Sequence, residues 1–373
     1  MAWSSIIGQE RVKNLLRASW RSGEIPGAYL MYGVGGTGKD ALAIEFAKLL
    51  NCSAPSEEGS CGVCPSCKRA TAMQHPNIKF ICALPLGKNE DARKDDPISK
   101  LEPDALQAVK DELQKKLADP YYVINIPKAR EIKLSSVRDI KKELSLSALG
   151  GKRVVIVSQA ENMNTQSQNA LLKTLEEPPA NTVFILTSSA RARLKPTILS
   201  RCQMMRCDAL RTNEIAEALV ARAGVERNMA ELCARLGNGS YAAALQHCTE
   251  EFAAVRKSAV DFLRAVAVKK YADIYAFIEE IARARDRTSI EEFLSVLILW
   301  FRDAEALRLG AREAMLAMDT ADVLTRFVER YPNARCDTAI RRIEKAASEV
   351  KRNVNVALSL RVLVTELQGA LAG

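Results

Sequence analysis

One octapeptide constrains most of what this chain can fold into: Gly33-Val34-Gly35-Gly36-Thr37-Gly38-Lys39-Asp40. It has the form G-x-x-x-x-G-K-[ST] with its last position changed to an acid. In such a loop, glycines let backbone N–H groups close around phosphate oxygens at a helix N-terminus, where the aligned peptide dipoles favour negative charge. The lysine reaches the β- and γ-phosphates, and the final hydroxyl holds Mg²⁺. Tyr29-Leu30-Met31-Tyr32 reads as a strand before the loop, and residues 40–47 read as a helix after it. Gly33, Gly36, Gly38 and Lys39 are therefore candidate nucleotide-binding residues. Asp40 can cap the start of the helix. It also brings a carboxylate beside the triphosphate, which weakens ATP or ADP binding unless a cation bridges the two.

A second departure follows. Lys152-Arg153-Val154-Val155-Ile156-Val157, after Gly150-Gly151, reads as a buried parallel strand. In a P-loop ATPase the end of that strand offers an Asp to Mg²⁺ and a neighbouring acid to the attacking water. Here Ser158-Gln159 stand there, and neither can take a proton from water or offer a metal a negative charge. Glu161 lies three residues past the strand end. A helix ending at Glu176-Glu177-Pro178-Pro179 then leads to another strand, Thr182-Val183-Phe184-Ile185-Leu186-Thr187. The βαβ alternation and right-handed crossovers give a doubly wound parallel sheet flanked by helices.

Four of the ten cysteines cluster, Cys52, Cys61, Cys64 and Cys67, among Gly59, Gly62 and Pro65. Two-residue gaps let adjacent thiolates point at one centre, and four sulfurs complete a tetrahedral zinc site. Disulfides are disfavoured without an export signal. An iron–sulfur cluster lacks its usual fourth cysteine downstream. Structural Zn²⁺ is the favoured reading, as a closed knuckle that performs no chemistry. Cys82, Cys202, Cys207, Cys233, Cys248 and Cys336 are read as small buried hydrophobes.

The chain has 373 residues, 48% of them hydrophobic, which is ample for two or three domains. Nothing resembles a membrane span or signal peptide, so a soluble, cytoplasmic protein is expected. A net charge of +9 tilts toward acidic partners, while an aromatic content of 5% argues against base-stacking platforms. Residues 87–97 are polar enough to predict an exposed, mobile loop. Glu102-Pro103-Asp104 introduces a helix through about Leu117, stopped near Pro120, with no role assignable from sequence. Residues 132–144 predict a helix with charged outer faces, more a solvated surface than a DNA-binding stripe. From about 208 to 250 the chain reads as a small helical lid. Beyond it only amphipathic helices follow, one opened by the capping box Thr288-Ser289-Ile290-Glu291. Apolar stripes recur at Ile290, Phe293, Leu294, Leu297, Ile298 and Phe301, at Ile274, Phe277, Ile278 and Ile281, and at Val356, Leu360, Leu363, Val364 and Leu367.

Several segments together carry a family resemblance. Ala170-Leu171-Leu172-Lys173-Thr174-Leu175-Glu176-Glu177-Pro178-Pro179, Ser200-Arg201-Cys202, Ile7-Gly8-Gln9-Glu10, the cysteine knuckle and Leu146-Ser147-Ala148-Leu149-Gly150-Gly151-Lys152 resemble the bacterial clamp-loader subunits of the AAA+ class. The likeness covers most of the first 245 residues. It implies a P-loop AAA+ domain with zinc knuckle over 1–207, a lid over 208–250 and an all-α collar over 251–373. The family contains motor subunits, gamma/tau, and a non-hydrolysing subunit. A motor would carry Ser or Thr at 40, Asp-Glu at 158–159 and a lid arginine where Gly239-Ser240-Tyr241-Ala242 has alanine. These departures favour the non-hydrolysing class. The resemblance then implies that Arg201 is an arginine finger acting in trans on a neighbour's ATP. It also implies a DNA polymerase III heteropentamer with gamma/tau and delta subunits that places a sliding clamp on primed DNA. Two rivals remain: an active gamma/tau-type ATPase using Lys39 with Asp40 or Glu161 as metal ligand, and a zinc-dependent nucleic-acid-binding protein acting alone.

Overall fold

A computed structural model describes residues 3–91, 95–144, 151–284, 287–311, 315, 321–352 and 354–372. The chain divides into two compact units, residues 1–223 with 237–244, and residues 224–236 with 245–373.

The first unit is built on one parallel sheet of β1 (Ala28–Tyr32), β2 (Ile78–Ile81), β3 (Arg153–Val157), β4 (Thr182–Ser188) and β5 (Gln203–Arg206). The spatial order is β2-β3-β4-β1-β5. Leu30 aligns with Leu186 on one side and Met204 on the other, and Val155 aligns with Phe184. Every residue of β4 is buried. That fits a strand covered on both faces, which is why β3 and β4 read as unbroken apolar runs. The edge strands β2 and β5 are short and half-exposed, and neither is marked by the sequence pattern. Eight helices of this unit are α1 (Glu10–Ser22), α2 (Lys39–Asn51), α3 (Pro65–Thr71), α4 (Pro103–Ala118), α5 (Leu134–Leu144), α6 (Thr165–Glu176), α7 (Pro196–Leu199) and α8 (Thr212–Ala223). One apolar core lies between the sheet and α5 and α6, through Ile140, Leu171, Phe184 and Leu186.

The second unit is helical among its described residues: α9 (Arg227–Leu236), the end of α10 (Tyr241–His247), α11 (Glu250–Ala267), α12 (Tyr271–Ala284), α13 (Arg287–Arg308), α14 (Ala321–Arg330), α15 (Cys336–Lys351) and α16 (Val356–Ala372). Its core joins the apolar stripes anticipated above, with Leu294, Leu297, Phe301, Leu360, Leu363 and Leu367 all buried. Phe277 and Phe293 pack with ring centroids 5.0 Å apart. Thr249 caps α11 by accepting the Phe252 N–H at 3.3 Å. The Thr288 side chain, expected to open α13, lies outside the described residues, as do positions 145–150 of the clamp-loader-like segment.

Lys88, Asn89, Asp91 and Asp96 of the polar segment 87–97 are exposed as expected, but one of its acids is not. The Glu90 side chain is 4% exposed and pairs with Lys133 Nζ at 2.5 Å, itself 4% exposed. Glu90 also accepts the Gly87 N–H at 2.8 Å and the Ser135 hydroxyl at 3.0 Å, and Lys133 donates to Pro97 O at 2.9 Å. Composition counts charges without showing that one of them finds a buried partner. Glu90→Ala leaves the Lys133 ammonium buried and unpaired, and is expected to cost about 3–5 kcal/mol of stability, read as a lowered denaturant midpoint.

Candidate functional site

The phosphate loop leaves the C-terminal end of β1 and runs into α2, at the edge of the sheet where ligands of parallel α/β folds bind. Its conformation depends on its glycines. Gly33 has φ 152°, and a Cβ there would lie 2.0 Å from Cys207 O on the neighbouring strand's exit. Gly38 has φ 89° and would press a Cβ to 2.7 Å from the Tyr121 ring. Gly36 O accepts the N–H groups of Tyr241 at 3.1 Å and Ala242 at 3.4 Å. The segment Gly239-Ser240-Tyr241-Ala242 thus clasps the loop with backbone, and alanine stands where a motor subunit would carry arginine. Lys39 folds back on the loop, donating to Gly33 O at 3.0 Å and Val34 O at 2.6 Å. Burial pulls its pKa below the usual lysine value, against the pull of nearby negative groups including Asp40 and Glu161. Gly36, Gly38 and Lys39 line a cavity of about 310 Å³ with Asp40 and Glu161, and Gly33 is not among its lining residues.

Asp40 does not cap α2. Gly38 is the cap residue, and the Asp40 carboxylate turns inward instead. Oδ1 accepts the Thr187 hydroxyl at 2.7 Å and Oδ2 the Ser158 hydroxyl at 2.8 Å. Lys116 Nζ from α4 lies 2.8 Å from the same Oδ2, with side chains 2% and 14% exposed. Burial opposes ionisation of Asp40, but the Lys116 ammonium and the two hydroxyl donors outweigh it and hold the carboxyl below its usual range. Lys116 and Thr187 went unrecognised in the sequence. The one signal for Lys116 is its place on the Val109–Leu113 stripe of α4, where a solvated lysine has no reason to stand.

Gln159, at the position of the second acid, has φ 51° and lines the cavity as a neutral amide. Its Nε2 donates to Ile124 O at 3.2 Å, and its Oε1 accepts from Asn162 at 3.0 Å. Glu161 is 5% exposed, and its Oε1 accepts the Ser189 N–H at 2.9 Å and hydroxyl at 2.5 Å. Glu161 Oε2 is buried without a donor among the described residues.

The four clustered cysteines converge as expected: their sulfurs all lie within 4.8 Å of one another. Cys61 Sγ and Cys67 Sγ are 4.0 Å apart, close to the ~3.8 Å edge implied by a tetrahedron with metal–sulfur bonds of about 2.3 Å. Backbone N–H groups of Cys61, Cys64 and Cys67 point at Sγ of Cys52, Cys61 and Cys64 at 3.3, 3.4 and 3.4 Å, an arrangement that favours thiolates. Burial pushes the Cys67 thiol up to about 12, whereas hydrogen bonds from Ser53 and the Cys67 N–H bring Cys64 down to about 5. The donor set fits one metal ion. Anchors are local: Ser60 donates to Glu45 at 2.6 Å beside the buried Glu45–Lys48 pair, and Ser66 bonds Asn51 O and His75 at 2.6 and 2.8 Å. Of the six other cysteines five are buried; Cys248 is half-buried instead.

Arg201 sits in the turn between α7 and β5, its side chain 32% exposed. Its guanidinium donates to Thr197 O at 2.8 Å and pairs at 2.5 Å with Glu176, so the two signature segments Leu175-Glu176-Glu177-Pro178-Pro179 and Ser200-Arg201-Cys202 meet in one ion pair.

Residues 8–211 match the family described as DNA polymerase III, delta subunit. A relative from Bacillus subtilis, DNA polymerase III subunit delta', is 26% identical over 363 residues, 96% of each chain. The protein of that name from Pseudomonas aeruginosa is 34% identical over 48% of this chain and 42% of its own. DNA polymerase III subunit tau from Escherichia coli is 28% identical over 58% of this chain, which spans 27% of tau.

Because the folded-state pKa of Asp40 lies below its unfolded value near 3.9, the stability it contributes is complete above that value and is lost as pH falls through the folded pKa. Asp40→Asn is expected to cost about 3–5 kcal/mol near neutral pH by stranding Lys116. The gap to the wild type, followed by denaturant titration, should hold down to about pH 5 and shrink below about pH 4.

Proposed function

The chain belongs to the DNA polymerase III delta-prime family, and from that premise we propose that it is a non-hydrolysing subunit of the clamp loader. It acts as a stator that lends Arg201 to an adjacent ATPase subunit. The observation that carries this reading is the end of β3. Ser158 is bound to Asp40 and Gln159 to Ile124 O, and neither offers the cavity a carboxylate able to hold a metal or orient water. The retained loop, Gly33, Gly36, Gly38 and Lys39, supports the fold, and ATP or ADP has no hydrolytic route in it. The residue matches to tau as well as delta-prime relatives support descent from a shared ATPase.

In this reading Arg201 works outside its own pocket. A guanidinium offered to a neighbour's γ-phosphoryl stabilises the charge that develops in the transition state. Its partial exposure and single acidic partner, Glu176, suit a group that is pre-aimed yet can be surrendered to a phosphate. The partners are gamma/tau and delta subunits in a heteropentamer, a sliding clamp, and primed DNA held by the assembly. Residues 1–207 form the AAA+ domain, 208–250 the lid and 251–373 the collar, at work in the cytoplasm. No helix among the described residues is long and apolar enough to cross a membrane.

Cys52, Cys61, Cys64 and Cys67 hold structural Zn²⁺. A four-sulfur site has no open position, so it supplies folding energy to the 52–71 segment and no chemistry.

Two measurements test this reading. Arg201→Ala, assembled with motor subunits, is expected to cut DNA-stimulated ATP turnover by as much as about 10³–10⁵. Arg201→Lys should rescue little, since it lacks the planar fork. Full turnover by a correctly assembled Arg201→Ala complex contradicts the finger. Titration with a mercurial thiol reagent should release a single equivalent of zinc per chain, and Cys61→Ser should abolish it; iron or no metal in protein purified without chelators contradicts the zinc assignment.

A further inference from the structure

We propose that Lys116 is a built-in counter-ion that takes the place of the divalent metal in this phosphate loop, and that the segment carrying α4, between β2 and β3, seats it. A P-loop holds Mg²⁺ between a hydroxyl on the loop and a carboxylate on the neighbouring strand. Here the same pair survives with its positions exchanged, a carboxylate at the end of the loop at Asp40 and a hydroxyl just past β3 at Ser158, 2.8 Å apart. The acid that a cation needs has therefore not been lost. It has been moved across the site and given a cation of its own.

Lys116 is not a surface lysine resting on a convenient acid. Besides Asp40 at 2.8 Å it donates to Pro120 O at 2.8 Å and Tyr122 O at 2.6 Å, which uses all three of its N–H groups. The segment that supplies these carbonyls is itself fastened down. Glu112 accepts from the Tyr122 hydroxyl and the Asn125 N–H, each at 2.8 Å. Tyr121, 2% exposed, packs on Gly38, and its hydroxyl accepts the Ile7 N–H at 2.6 Å. The ammonium thus holds the carbonyls on either side of the residue that packs on the loop.

Mg²⁺ does not fit these residues as they stand. It demands a near-octahedral oxygen set at about 2.0–2.1 Å. One Asp40 oxygen already receives an ammonium and a hydroxyl, and the other receives Thr187. A dication beside a fixed monovalent cation adds repulsion where a low dielectric makes it costly. The other acid on the cavity is Glu161, and any competing metal would have to use its free Oε2. The inference concerns this chain's own pocket and does not depend on the role of Arg201.

The test uses the zinc-loaded full chain with Mn²⁺ as probe and no chelator. The wild type should bind no Mn²⁺ by electron paramagnetic resonance, and its thermal midpoint should not move with the ion. Lys116→Met should lower the midpoint, bind one Mn²⁺ per chain, and recover stability as Mn²⁺ is added. The double variant Asp40→Asn with Lys116→Met should bind none. If Lys116→Met fails to fold alone, refolding that succeeds only with Mn²⁺ supports the proposal, and failure to recover with Mn²⁺ overturns it. It is equally overturned by Mn²⁺ binding to the wild type, or by a folded Lys116→Met chain that gains no Mn²⁺ site.

Discussion

The contact between Lys116 and Asp40 is the constraint on which the candidate pocket depends, because it ties a helix outside the sheet to the ends of three adjacent strands. Asp40 comes from the loop after β1, its hydroxyl donors from the ends of β3 and β4, and its cation from α4, between β2 and β3. A buried carboxylate without that ammonium would either protonate or pull the loop toward water. A buried ammonium without the carboxylate would keep two carbonyl acceptors but lose its counter-charge. Such pairs add little net stability over apolar residues of the same shape, but losing one partner is severe. The arrangement thus holds one geometry of the loop, and that geometry turns Lys39 back upon its own carbonyls.

Helix α2 connects this pocket to the cysteine cluster. Its thirteen residues span about 20 Å. Asp40 stands in its first turn, the buried Glu45–Lys48 pair holds Ser60 at its middle, and Asn51 and Cys52 meet the knuckle at its end. A metal bound by the four sulfurs would therefore fix the far end of the same helix whose near end carries the altered loop position. This is a structural coupling without a chemical one, since a closed sulfur site leaves nothing open to react.

Much of this architecture is legible in the residues, for identifiable reasons. Strands β3 and β4 are buried on both faces and so spell themselves out in Val, Ile and Phe, whereas β2 and β5 lie at the edges and carry Lys79 and Arg206. The four cysteines are legible because their short spacing lets the sulfurs converge, and they do, within 4.8 Å of one another. The helical stripes of the C-terminal unit are legible because amphipathic periodicity is local. What escaped is long-range. Lys116 finds Asp40 across 76 positions, and Glu90 finds Lys133 across 43; a charged residue in a polar stretch gives no sign that its partner is buried. The inward turn of Asp40 escaped for the same reason, since an acid at a helix start ordinarily reads as a cap. The substitutions at 40, 158 and 242 point one way as separate residues, but the exchange of carboxylate and hydroxyl between Asp40 and Ser158 is visible only once β3 lies beside the loop.

The proposed stator role requires a phosphate loop that keeps its fold without hydrolysing ATP. The most direct measurement is phosphate release from ATP by the purified chain alone, and by motor subunits on primed DNA with and without it. The account predicts no turnover by the chain alone and a marked stimulation in the mixture. Steady turnover by the isolated chain, abolished by Lys39→Ala, would contradict it.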